Sequence, residues 1–150
     1  MAEEQQFCTF ILDRYVFGIE VKQVQEVLRY QELTRVPLAS QVVSGLINLR
    51  GQIVTAIDLR RRLELNERDD DELPMNVVIM NVVIRTDDGI VSLLVDEIGD
   101  VIEVEEDTFE HPPETMRGLA RELIKGTYKL EDQLLLILDT EKTVNLNEET

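Results

Sequence analysis

Two stretches of this chain repeat one another, and that repeat limits the folds open to it more than any other feature. Gly45 and Asp58 stand the same interval apart as Gly126 and Asp139. Between them, Asn48-Leu49-Arg50-Gly51-Gln52-Ile53-Val54 runs alongside Lys129-Leu130-Glu131-Asp132-Gln133-Leu134-Leu135. Upstream of these, Ile19 to Leu28 aligns with Leu93 to Ile102 at a different offset, as a loop of altered length would produce. One copy alone is too small for a good core, so two copies are expected to pack against each other.

The local pattern within each copy is that of strands. Apolar residues come in short runs separated by turn and charge signals. Cys8, Phe10 and Leu12 alternate as the inward face of a strand requires, and Tyr15 to Val21 returns after a turn at Asp13-Arg14. Gly45 to Arg50 and Gln52 to Leu59 read as strands joined by a tight turn, where Gly51 takes positive φ at little cost. Val77 to Ile84, Ile90 to Val95, Val101 to Val104 and Gln133 to Leu138 add further strands, with a hairpin turn at Asp87-Asp88-Gly89. Helical signals are few: a single turn over Ser40 to Val43, and Thr115 to Leu123 with Met116, Leu119, Ala120 and Leu123 at helical spacing. Asn66 to Pro74 reads as an exposed acidic loop, and Asn145 to Thr150 as a polar tail.

Charge and residue inventory narrow the function. The 150 residues carry 31 acidic against 15 basic side chains, a net charge of -16. A field of that sign repels phosphate backbones, so nucleic acid is not an expected partner. The lone Cys8 allows no internal disulfide and fits a reducing, cytoplasmic setting. The N-terminal residues lack the pattern of a signal peptide, and the longest apolar run, Leu134 to Leu138, is too short to span a bilayer. Intact Met1 and a complete short chain suggest a free-standing protein.

Catalysis finds no footing. The one histidine, His111, lies in a proline-flanked segment expected to be a solvated loop. Asp58 and Asp139 are placed to cap or close turns after strands rather than to act as an acid–base pair. Asp69-Asp70-Asp71-Glu72 lacks the spacing of a calcium loop, and no glycine-rich phosphate loop is present. No cofactor or metal is expected, and a small hydrolase is the disfavoured alternative. Surfaces remain: Arg50 projects from a hairpin tip, and Arg60-Arg61-Arg62 reads as a solvated polar segment after a strand.

These features together resemble the CheW family. Phe10-Ile11-Leu12 through Ile19 is similar to that family's first hairpin, and Val24-Gln25-Glu26-Val27-Leu28 to its VxEV segment. Thr34-Arg35-Val36-Pro37, Gly45 to Val54 and Ile57-Asp58-Leu59-Arg60 are similar to its signature stretch, and Val91 to Val144 follows its weaker second repeat. Thr55 stands where the family often has proline, a change expected to alter a strand edge without threatening the fold.

The resemblance implies an all-β fold of two SH3-like five-stranded barrels around a shared hydrophobic core, with one or two short helices. The whole chain, 1–150, would be a single CheW-like domain. Its first barrel would span about 13–75 and its second about 76–140, with N-terminal strand contributions. It further implies a non-enzymatic adaptor that joins the tip of methyl-accepting chemoreceptors to the regulatory domain of the histidine kinase CheA, reaching the membrane only through receptors. An adaptor of a pilus or gliding pathway is the alternative. Carried over by motif, the partner-binding residues would be Val24, Glu26, Gly45, Asn48, Leu49, Arg50, Gly51, Val95, Gly99 and Val101.

Overall fold

The turn signals fall where antiparallel strands reverse. In the computed structural model, which describes residues 4–29, 32–37, 41–65, 79–87, 89–105, 108–112 and 118–146, β1 (Glu4–Leu12) turns at Asp13-Arg14 into β2 (Tyr15–Glu20). A 3-10 turn, Val21–Gln23, leads to β3 (Val24–Arg29). β4 (Val43–Leu49) and β5 (Gln52–Asp58) form the Arg50-Gly51 hairpin, followed by α1 (Leu59–Arg62). β6 (Met80–Thr86), β7 (Gly89–Val95) and β8 (Glu97–Glu105) come next, then α2 (Leu119–Leu123), β9 (Ile124–Lys129), β10 (Leu134–Leu138) and α3 (Thr140–Val144). The expected loop at 66–74 and the residues after 146 lie outside the described residues, as do Ser40, Asp88 and the start of the expected 115–123 helix.

The strands form two five-stranded sheets, ordered β3-β6-β7-β5-β4 and β8-β1-β2-β10-β9. Each sheet wraps its own apolar cluster. Ile47, Leu49, Val54, Ala56, Val83 and Leu94 fill the first, and Phe7, Val16, Tyr128, Leu135 and Ile137 fill the second. The opposite faces of the same strands meet in a third cluster that includes Phe10, Phe17, Ile57, Leu93, Val95, Leu136 and Leu138. The expected architecture of two small barrels around a shared core, with few short helices, therefore holds; three short α-helices lie among the described residues.

The sequence repeat does not coincide with the barrels, which corrects the expected boundary near 75. The first barrel takes β3 to β7, and the second takes β1 and β2 together with β8 to β10. Each repeat thus lends its first hairpin to the barrel built from the other repeat's last three strands. The crossings lie at Val21–Gln23, between β2 and β3, and at Asp96, between β7 and β8. Both occur inside the aligned Ile19 to Leu28 and Leu93 to Ile102 segments. The exchange leaves the same signature in both sheets: a parallel pair of β5 with β7 and of β10 with β2. It also leaves a β-bulge at the same place. Gln25 and Glu26 lie against Val83 where β3 shifts register, and Gly99 and Asp100 lie against Thr9 where β8 does.

The glycines that open the repeat serve closure. Thr34 bridges to Leu46 with reciprocal hydrogen bonds of 2.9 and 2.8 Å, and Glu110 bridges to Thr127 with two of 2.8 Å. Each bridge lays the segment after the edge strand against β4 or β9. A Cβ on Gly45 would sit 2.6 Å from the Thr34 carbonyl oxygen, and one on Gly126 would sit 2.5 Å from that of Glu110. Gly45→Ala and Gly126→Ala are each expected to lower stability by about 2–3 kcal/mol, the upper part of the overpacking range. Gly51→Ala, where nothing lies within 4 Å and only the positive φ is strained, should cost about 1 kcal/mol. Urea denaturation of the three variants checks that order, and a Gly51 variant as damaged as the others would refute it.

Candidate interaction surfaces

The hairpin tip between β4 and β5 is held by its own chemistry. Arg50 and Gly51 have φ of 51° and 88°, the two consecutive positive values of a type I′ turn. Asn48 locks it, its Oδ1 accepting the Gly51 N–H at 2.8 Å. From this tip the Arg50 guanidinium donates through Nη2 to Glu26 Oε2 on β3. Arg50 remains 66% exposed and Glu26 23% exposed. The other oxygen, Glu26 Oε1, is buried and has no hydrogen-bond partner among the described residues. Two branched aliphatic side chains on the same hairpin and strand are exposed. Val27 follows Glu26 in β3, and Ile53, 61% exposed, faces Asn48 across the β4–β5 ladder. Exposed branched aliphatics on the strands that carry Glu26 and a largely exposed arginine on a rigid turn have the character of an interface.

The second barrel carries a counterpart. Val101 occupies in β8 the position that Val27 occupies in β3, and it is 59% exposed. Before it, Gly99 sits against Thr9, whose hydroxyl donates to the Asp100 carbonyl at 2.6 Å. A Cβ on Gly99 would approach that hydroxyl to 2.5 Å, so the residue is fixed by packing. The tip corresponding to Arg50 holds Glu131 and Asp132, so here acidic side chains take the place of the arginine.

The other candidates resolve into structural roles. Asp58 caps α1, accepting the Arg60 N–H at 3.1 Å and the Arg61 N–H at 3.4 Å, and Asp139 caps α3 through the Lys142 N–H at 3.1 Å. These two helices were not expected, although their capping aspartates were the signal for them. His111 is exposed. Burial raises the pKa of the Cys8 thiol, which withholds the reactive thiolate. A cleft of about 580 Å³ between β2, β10 and the ends of α1 and α2 has an apolar floor including Tyr15, Phe17, Leu63, Leu119, Leu134 and Leu136. Among the described residues, neither histidine, cysteine nor serine lines it. Among the described residues no group of histidine, cysteine, aspartate and glutamate is placed to hold a metal ion, and no helix is long and apolar enough to cross a membrane.

The arginine run is where the sequence reading fails. Arg60-Arg61-Arg62 is not a solvated patch: Arg62 is 2% exposed, and only Arg61 faces solvent. Arg62 donates from Nε to the Thr143 carbonyl at 2.6 Å and from Nη2 to those of Lys142 and Asn145 at 2.8 and 3.4 Å, tying α1 to the end of α3. Desolvation lowers its pKa.

With this geometry in view, the family model of the CheW-like domain matches residues 6–148. The chain belongs to the CheW family. It is 31% identical to the chemotaxis protein CheW of Treponema pallidum over 149 residues, covering 97% of this chain and 85% of that one. It is 35% identical to CheW of Bacillus subtilis over 136 residues, covering 90% and 83%. A crystal structure of the scaffolding protein TtCheW from Thermoanaerobacter tengcongensis superposes with a TM-score of 0.81 at 24% identity, over 98% of this chain and 95% of that chain, which establishes a common fold.

The residues that the CheW motifs single out divide accordingly. Glu26, Asn48, Arg50 and Gly51 come together at the first surface, and Gly99 and Val101 lie on β8 at the second. Gly45, Leu49 and Val95 are buried, and Val24 packs on the shared core. Thr55 is not at a sheet edge: it pairs with Leu46 on one side and Val91 on the other. Ile53 and Val27 were missed as surface residues, though alternation with Val54 and Ala56 marks Ile53 as facing away from the barrel interior. Removing the largely solvated Arg50 as Arg50→Ala should change stability by less than about 1 kcal/mol. Arg62→Ala, which strands buried carbonyls of α3, should cost about 1–3 kcal/mol. Thermal unfolding of the two variants checks the contrast, and equal losses would make Arg50 structural.

Proposed function

We propose that this CheW-family chain is a non-enzymatic adaptor that couples methyl-accepting chemoreceptors to the regulatory domain of a CheA-type histidine kinase in chemotaxis. The observation that carries the reading is the pair of repeat-related surfaces, each pairing an exposed valine with a carboxylate on a bulged strand. The described residues offer no nucleophile with a base to turn either surface, or the apolar cleft, towards catalysis. Relatives carrying the name chemotaxis protein, and a fold shared with a scaffolding protein, support the same reading. The protein would act in the cytoplasm, reaching the membrane through its receptors and needing no cofactor.

On this reading Glu26, Asn48 and Arg50 contact one partner directly, with Val27 and Ile53 supplying apolar area. Val101 contacts another. Val24, Gly45, Leu49, Gly51, Val95 and Gly99 act by holding the backbone that presents these side chains. Coupling follows from linkage: an adaptor with different affinities for two receptor states biases the kinase held on its other face. Individually weak contacts, each roughly micromolar, gain strength when many are held in one array.

Calorimetric titration of the protein with the isolated regulatory domain of its organism's chemotaxis kinase tests the proposal. Saturable binding is expected, weakened about 5- to 30-fold by Arg50→Ala, as truncation of an interface arginine costs about 1–2 kcal/mol. Binding unchanged by the mutation moves Arg50 to the receptor side. No binding to any kinase regulatory domain encoded in that genome would refute the adaptor reading.

A further inference from the structure

Where the chain passes from β7 into β8, one carboxylate gathers donors from two places. Asp96 accepts from Arg60 Nε at 3.0 and 3.2 Å and from Arg60 Nη2 at 2.7 Å. Its Oδ2 also accepts the Asp13 N–H at 3.1 Å, while its own N–H donates to the Ile11 carbonyl at 3.2 Å. Both side chains of the pair are largely withdrawn from water, at 15% and 17% exposure. Arg60 belongs to α1, which continues the first barrel, whereas Ile11 and Asp13 belong to the second. At the other crossing, Gln23 Nε2 donates to Thr140 Oγ1 at 3.1 Å. There Glu141, the repeat counterpart of Arg60, takes the Asp87 N–H of the β6–β7 turn directly, at 3.0 Å.

The position of the charged crossing is informative. Arg60 lies just beyond the end of β5, and the opposite end of β5 begins at the Arg50-Gly51 tip. Asp96 immediately precedes β8, which carries Gly99 and Val101. A single stiff path therefore runs from the first surface along β5, through the ion pair, and into the second surface. Apolar packing holds the barrels together but is non-directional. A guanidinium fork on a carboxylate fixes both distance and orientation.

We propose that Arg60 and Asp96 form a strut that sets the angle between the two barrels and so presents both partner-facing surfaces in one fixed relation. Arg60 and Asp96 are positioning residues and touch no partner. The functional half rests on the adaptor reading, whereas the orientational half does not.

Distance distributions between spin labels at Arg85→Cys on the first barrel and Glu131→Cys on the second, in a Cys8→Ser background, test the strut directly. A single narrow distribution is expected in the parent. Arg60→Gln and Asp96→Asn should each broaden and shift it, and the exchange Arg60→Asp with Asp96→Arg should bring it back. Asp96→Asn retains an acceptor for the Asp13 N–H, so it keeps the test decisive if Arg60→Gln does not fold. A distribution unchanged in the single variants, even with a lowered melting temperature, would overturn the proposal and leave a merely stabilising ion pair. With partners added, the kinase regulatory domain and a receptor cytoplasmic fragment should each bind Asp96→Asn with parental affinity, while receptor-dependent stimulation of the kinase falls. Parental stimulation in a variant with a broadened distribution would refute the functional half. Absence of partner binding by the parent protein would refute the adaptor reading and leave the distance measurement to decide the strut.

Discussion

The apolar layer between the two barrels constrains everything else in the molecule. Phe10, Phe17, Ile57, Leu93, Val95, Leu136 and Leu138 reach it from strands whose other faces already fill a barrel interior. A strand buried on both sides has no room for the polar alternation of an ordinary half-exposed strand. Hence β2, β7 and β10 read as nearly continuous apolar runs, and polar residues within the central strands must find partners. Asn81 and Ser92 do so, with the Ser92 hydroxyl donating to Asn81 Oδ1 at 2.8 Å and Asn81 Nδ2 donating to the Arg29 carbonyl at 3.1 Å.

Exchange of hairpins between the repeats follows from the same layer. A five-stranded barrel made wholly of one repeat would meet its neighbour only across a surface. By sending β1–β2 and β6–β7 into opposite barrels, the chain crosses the interface twice and makes the shared layer continuous with both interiors. The turns of the exchanged hairpins then need polar reinforcement, because backbone groups beyond a strand end lack ladder partners. Asp96 and Glu141 supply it to the Asp13 and Asp87 turns by different chemistry, one steadied by an arginine and one acting alone.

Binding surfaces are what this frame leaves over. The outward faces of β3 and β8 cannot join the core, and their bulges turn Glu26 and Asp100 to equivalent positions. The two surfaces differ because the tips differ: Arg50 neutralises Glu26 on the first barrel, whereas Glu131 and Asp132 occupy the corresponding tip on the second. On the adaptor reading proposed above, such a pseudo-symmetric frame with unlike tips would present a different surface to each of two partners.

The sequence by itself determined what local forces decide. Alternation placed the strands, Arg50-Gly51 and Asp13-Arg14 announced their turns, and the spacing of Gly45 with Asp58 and Gly126 with Asp139 announced the duplication. These are effects of backbone sterics and side-chain period, carried within a few residues. Tertiary structure alone decided the rest. Which barrel a hairpin joins depends on long-range burial, to which a period of two is blind, so the repeat boundary was mistaken for the barrel boundary. Arg60 and Arg62 read as solvated because their partners, Asp96 and the carbonyls at the end of α3, lie far along the chain. Gly45 and Gly99 lie in the partner-binding motifs, and only the folded chain shows the Thr34 carbonyl and the Thr9 hydroxyl that leave no room there for a Cβ. A side chain's role is set by what folding brings beside it, and only the folded chain supplies those neighbours.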